Sequence, residues 1–226
     1  MKSASRSAIS PFFSSVTTGA PPVGGISKRS FDILVALAAL VVLSPIFVLI
    51  MALVKYSDGG GSIFYGHRRI GYNGTTFRCL KFRTMAENGD ALLHQYLEQN
   101  PAAYEEWRTT RKLQHDPRVT VVGTVLRKLS LDELPQLFNI LRGEMSIVGP
   151  RPVVEDELEL YEASAVYYLQ TRPGLTGLWQ VSGRNDVSYE SRVAFDTHYV
   201  RNWSLVSDLV IVARTIPAVC LSRGSY

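Results

Sequence analysis

Cysteine is scarce. The two thiols in 226 residues, Cys79 and Cys220, stand too far apart for a zinc motif and too few for a disulfide framework. A reducing compartment follows, with both thiols structural. Residues 1–27 are rich in Ser, Thr, Pro and Gly and lack the apolar run of a signal peptide, so they are expected to form a disordered tail. The chain also lacks an internal repeat and a Gly-rich nucleotide fingerprint. Charge of neither sign dominates. The 24 Lys and Arg against 20 Asp and Glu leave a net +4, which invites anionic company without choosing among phosphate, acidic lipid and nucleic acid. Length and a 46% hydrophobic content suit one sizeable domain with appendages.

Charge is missing altogether from Ile33 to Val54 (ILVALAALVVLSPIFVLIMALV). A straight helix of that length would just cross the ~30 Å hydrocarbon core. Ser44 and Pro45 stand at its centre, where proline removes a backbone donor and costs roughly 3 kcal/mol inside a helix. The flanks carry Lys28 and Arg29 on one side and Lys55, Arg68 and Arg69 on the other, so positive charge gives no direction. A re-entrant hairpin, two arms of ~15 Å entering one leaflet and returning, accounts for this as well as a spanning helix does. Asp32 is the expected N-cap of the first arm, with Phe31 and Tyr56 at the interface.

Beyond it, Ser62 to Met85 alternates like strands around an Asn73-Gly74 turn, and is crowded with Arg68, Arg69, Arg78, Lys81 and Arg83. A helix with polar faces is expected from Asn88 to Gln114, broken at Pro101. Val206 to Leu221 is too interrupted by Asp208, Arg214 and Pro217 to span and fits a helix lying on the membrane surface.

The stretch SLDEL, Ser130 to Leu134, sets Asp132 beside Glu133. Its S-x-x-E spacing matches a capping box in which Ser130 starts a helix and Glu133 reaches back. That structural reading is complete in itself. The chemical alternative is that Asp132 is a nucleophile for phosphoryl transfer, with Arg127 and Lys128 just upstream to hold an anion and adjacent acids to suit magnesium.

The ordered set KRSFD, the Ser-Pro break, LKFRTM, LRKLSLDELPQLFNILRGEMSIVGPRP, TRPGLTGLWQVSGR and HYVRNWSLVSDL resembles the bacterial sugar transferase family, the monotopic phosphoglycosyl transferases. The likeness runs from Lys28 onward and is strongest to the exopolysaccharide-initiating members that move galactose 1-phosphate to undecaprenyl phosphate. It implies a UDP-sugar donor, UMP release and a phosphosugar carried on Asp132. By the same resemblance, Glu133 partners Asp132 at magnesium (Mg2+), Arg127 and Lys81 hold substrate phosphate, and Pro150, Arg151 and Pro152 form a loop on the nucleotide side. Arg172, Gly174, Gly177 and Arg184 are expected to shape the pocket, and Ser44 and Pro45 to make the re-entrant break.

The expected fold is therefore α/β but mostly helical: a monotopic membrane protein with a re-entrant helix-break-helix hairpin at 28–57. A catalytic domain follows at 58–226, containing a small β-hairpin and amphipathic interfacial helices. It would sit on the cytoplasmic side of a bacterial inner membrane, with a second copy of the chain and downstream glycosyltransferases as further partners. Nucleic acid is not expected, because that reading rests on net charge alone and gives the broken apolar segment no job. Glucose 1-phosphate transfer and a noncatalytic membrane scaffold are the alternatives.

Overall fold

The uncharged run folds as part of one long helix, α1 (Gly25–Tyr56), which begins ahead of Lys28 and contains Pro45. In the computed structural model, which describes residues 20–57, 61–111, 113–183 and 187–220, helical structure continues through Ser44-Pro45. Two separate arms are thus not marked by any interruption. A proline forfeits one backbone hydrogen bond, and the apolar stretches on either side hold the remainder. The expected tail at 1–27 lies outside the described residues as far as Gly19, and Val23 N–H already donates to the Gln170 carbonyl at 3.0 Å.

The elements after α1 are mostly helical. They run β1 (Phe64–Ile70), β2 (Thr76–Phe82), α2 (Gly89–Gln99), α3 (Pro101–Thr110), α4 (Val121–Lys128) and a 3-10 turn at Leu131–Glu133. Next come α5 (Gln136–Arg142), β3 (Ser146–Val148), α6 (Glu155–Glu159), α7 (Ala165–Leu169), β4 (Gly174–Thr176), α8 (Leu178–Ser182), α9 (Tyr189–Arg201) and α10 (Leu205–Cys220). β1 and β2 form the expected hairpin, with Asn73 and Gly74 both at positive φ, the conformation an Asn-Gly pair adopts at least cost. Pro101 opens α3 and so separates it from α2.

The chain divides into two compact units. The first comprises residues up to Val42, Gly66–Leu80 and Gln136 onward. Its core gathers Ala36 from α1, Phe77 and Cys79 from β2, Leu137 and Ile140 from α5, Met145 to Val148, and Tyr199, Val200 and Ile211. A second cluster joins Ile70, Val153, Leu158, Tyr161 and Tyr168. β3 and β4 pair in parallel, Ser146 opposite Gly174 and Val148 opposite Thr176.

Within this unit Asp32 is not an N-cap. It sits fully buried inside α1, where Oδ1 accepts from the Ser146 hydroxyl at 2.8 Å and the Ile147 N–H at 2.9 Å. Lys28 is likewise buried and donates to Asp208. Arg29 donates to the Ile140 and Leu141 carbonyls, closing the C-terminus of α5. Both flanking cations are therefore committed to the fold. Phe31 packs against the core, and Tyr56 is exposed.

The second unit takes Leu43–Tyr65 and Lys81–Pro135. Here Phe47 from the later half of α1 packs on Phe82, ring centres 5.0 Å apart, and Phe64 stacks on the same ring at 5.5 Å. The face of α1 carrying Leu37, Val41, Val42, Ile46, Val48, Leu49 and Leu53 is exposed, an apolar surface that water would not favour.

Candidate active site

Lys81 stands near the end of β2, and its ammonium reaches both acids of the SLDEL turn: Glu133 Oε1 at 2.7 Å and Asp132 Oδ2 at 3.5 Å. Asp132 is only 8% exposed, while Glu133 and Lys81 are half-buried. Burial pushes the Asp132 carboxyl above the usual carboxylate range; Lys81 pulls it back, Glu133 adds to the push, and Arg127 pulls it down.

The turn that presents the acids is not a capping box. Ser130 lies in the left-handed region at φ 55, and its side chain caps nothing. Its N–H donates to the Arg127 carbonyl at 3.1 Å, so it ends α4 instead of starting a helix. Glu133, freed from capping, is drawn to Lys81. The acids occupy a short 3-10 turn of their own, Leu131–Glu133, ahead of α5.

Arg127 lies in the last turn of α4, and its Nε donates to the Thr84 hydroxyl at 2.9 Å. Sequence reasoning passes over Thr84, whose one signal was its place in the LKFRTM stretch. Thr84 is buried, and its carbonyl accepts from the Thr120 N–H at 3.0 Å. Thr120 in turn caps α4 by accepting from the Gly123 N–H at 2.9 Å.

Pro150, Arg151, Pro152, Arg172, Gly174 and Gly177 belong to the first unit. The Gly149 N–H donates to the Thr176 carbonyl, and the Gly174 N–H to the Pro150 carbonyl at 2.8 Å. This brings the Pro150–Pro152 stretch and the Gly174–Gly177 stretch together. The glycines are required by that approach. A Cβ on Gly174 would meet the Gly149 nitrogen at 2.1 Å, and one on Gly177 the Gly149 carbonyl oxygen at 2.4 Å. Arg172 donates from Nε to the Gly143 carbonyl at 2.8 Å, beside the carbonyls that Arg29 closes, and burial lowers the pKa of its guanidinium. Arg151 is exposed and Pro152 half-buried. Arg184 falls outside the described residues; Ser44 and Pro45 are exposed on α1.

A family model described as bacterial sugar transferase matches residues 23–222. The chain belongs to the bacterial sugar transferase family. It is 76% identical over 227 residues to the exopolysaccharide production protein ExoY of Sinorhizobium fredii, covering 100% of both chains. Identity to the protein of the same name from Rhizobium meliloti is 74% over 227 residues, again 100% of both. The undecaprenyl-phosphate galactose phosphotransferase of Salmonella typhimurium is 49% identical over 199 residues, which are 88% of this chain and 41% of that protein.

In this transferase the acid pair fits the donor set that magnesium takes. Two carboxylates converge on one ammonium, and no group of three or more His, Cys, Asp or Glu is assembled among the described residues. A hard cation that keeps waters and draws its other oxygens from a substrate phosphate suits such a sparse pair. Chemically, the site offers a buried carboxylate, a neighbouring carboxylate and two cations.

Proposed function

We propose that this transferase moves a hexose 1-phosphate, galactose 1-phosphate by its likeness to the Salmonella galactose phosphotransferase, from a UDP-sugar to undecaprenyl phosphate. The observation that carries the reading is the buried Asp132 carboxylate, which shares the Lys81 ammonium with Glu133.

Asp132 attacks the sugar-linked phosphorus, a new P–O bond forms, and the phosphorus–oxygen bond to UMP breaks, UMP leaving with the bridging oxygen. An oxygen of undecaprenyl phosphate then attacks the same phosphorus and releases the Asp132 carboxylate. Lys81 and Arg127 offset the phosphate charge that would repel the incoming carboxylate. Asp132 and Glu133 would be the residues to hold magnesium, which would supply further neutralisation of the diphosphate when bound.

The same reading makes the membrane segment re-entrant, with both ends cytoplasmic. Near one end of α1, Lys28 is tied to Asp208; near the other, the Val54 carbonyl accepts from Arg83 at 3.4 Å. Among the described residues, α1 is the one helix long and apolar enough to cross a membrane, which favours keeping Arg83 and Asp208 on one side. The soluble donor and the lipid headgroup then meet at that surface.

The test is intact-protein mass after incubating detergent-purified enzyme with UDP-galactose or UDP-glucose and magnesium, without lipid. A phosphohexose adduct with UMP release, absent from Asp132→Asn, is expected. Turnover with undecaprenyl phosphate that persists in Asp132→Asn would overturn the covalent route.

A further inference from the structure

We propose that Thr84 is a positioning residue: its buried hydroxyl aims the Arg127 guanidinium so that both terminal NH2 groups are presented to a phosphate of the donor. This rests on the role given to Arg127 in the proposed function. An arginine side chain has many rotamers, and a bond at Nε fixes the plane of its fork without occupying the ends. Arg127 is bonded in this way. Its Nε donates to Thr84 Oγ1 at 2.9 Å, and its NH2 groups make no hydrogen bond among the described residues.

Arg29 and Arg118 serve the fold and are engaged differently, although bonding through Nε also occurs at Arg172 and Arg192, to the Gly143 and Val187 carbonyls. Arg29 spends both terminal groups on the Ile140 and Leu141 carbonyls, and Arg118 grips Asp116 with Nε and Nη2 together. Arg127 alone of these three keeps its fork unspent while half-buried.

Thr84 is fixed tightly enough to act as the reference point. Its carbonyl takes the Thr120 N–H, Thr120 caps α4, and a Cβ at Gly123 would meet the Thr84 carbonyl oxygen at 2.1 Å. The start of α4 is thereby clamped to Thr84 by its backbone, and the last turn by its hydroxyl. Lys81 lies three residues earlier on the same stretch and pairs with the acids. One short segment, Lys81 to Thr84, therefore contributes one cation directly and orients the other.

The experiment compares Thr84→Val, Thr84→Ser, Arg127→Lys and the Thr84→Val/Arg127→Lys double variant in steady-state kinetics with the UDP-sugar, each checked by thermal melting. Thr84→Val keeps size and the backbone clamp but removes the hydroxyl. We expect KM for the donor to rise about tenfold with a smaller change in kcat, and Thr84→Ser to restore most of the loss. Lysine has no Nε for Thr84 to hold, so Thr84→Val should cost nothing further in the Arg127→Lys background.

Full multiplication of the two losses, or a Thr84→Val KM within about twofold of the parent, would overturn the inference while leaving the covalent route intact. An unchanged KM in Arg127→Lys would remove the donor-phosphate role of Arg127 as well. Should Thr84→Val fail to fold, Thr84→Cys, with a far weaker acceptor, carries the same expectations.

Discussion

Lys28 Nζ lies 2.7 Å from Asp208 Oδ2, both side chains buried, and fastens the first turns of α1 to α10. Tyr199 and the Trp203 indole complete the arrangement, each donating to an Asp208 oxygen, at 2.7 and 3.1 Å. The pair is an anchor for the membrane helix as much as a stabilising contact. Removing one partner leaves a buried charge uncompensated, at a cost of about 3–5 kcal/mol. Lys28→Met is therefore expected to lower Tm in detergent by on the order of 10 °C. A shift within about 2 °C would mean that the pair is solvated in the working enzyme.

In the proposed route Asp132 attacks as a carboxylate, and burial raises its pKa, so the first half-reaction should gain rate as pH rises through a value above the ordinary Asp range. Lys81 opposes that rise. Lys81→Met should then move the acid limb of the kcat/KM profile to higher pH and lower the plateau by about a hundredfold. A lowered plateau with an unmoved limb would show that Lys81 acts on substrate phosphate and not on Asp132.

Local chemistry made part of this legible. Asn73-Gly74 and Pro101 act through their own φ angles or missing N–H, and both were placed where the structure has them. The family motifs name Lys81, Asp132 and Glu133 together, and the structure brings the three side chains into contact although 51 residues separate Lys81 from Asp132 and no periodicity joins them. What misled was spacing. S-x-x-E describes a capping box, yet it also describes a serine that ends one helix in the left-handed region and a glutamate that finds a cation elsewhere. Asp32 looked like a cap for the same reason: its partners, Ser146 and Ile147, are more than a hundred positions away.

Asp196 is buried, accepts from the Tyr161 hydroxyl at 2.8 Å through Oδ2, and finds no partner for Oδ1 among the described residues. Burial pushes its carboxyl from 3.8 up to about 7, against the lowering effect of the Tyr161 hydrogen bond. The folded protein then holds a proton that the unfolded chain has released, so stability is greatest below pH ~4, falls as pH rises through that window, and levels off above about 7. Asp196→Asn keeps an acceptor for Tyr161 and removes the titration. Measured by melting from pH 5 to 8, the variant should gain on the parent as pH rises, and parallel curves would refute the assignment.

The topology of α1 can be read with cysteines placed at its two ends. Lys28 is unsuitable because it is buried, whereas Ser30 and Ser57 are both exposed. In a background with Cys79 and Cys220 replaced by serine, Ser30→Cys and Ser57→Cys should both react with a membrane-impermeant maleimide in inverted vesicles and neither in intact spheroplasts. The expectation follows from the tethers: Lys28 holds one end to Asp208, Arg83 holds the other at Val54, and no other described helix qualifies to carry the intervening chain across. Labelling of the two positions from opposite sides would make α1 a spanning helix, and one of the two tethers would then have to be absent in the membrane.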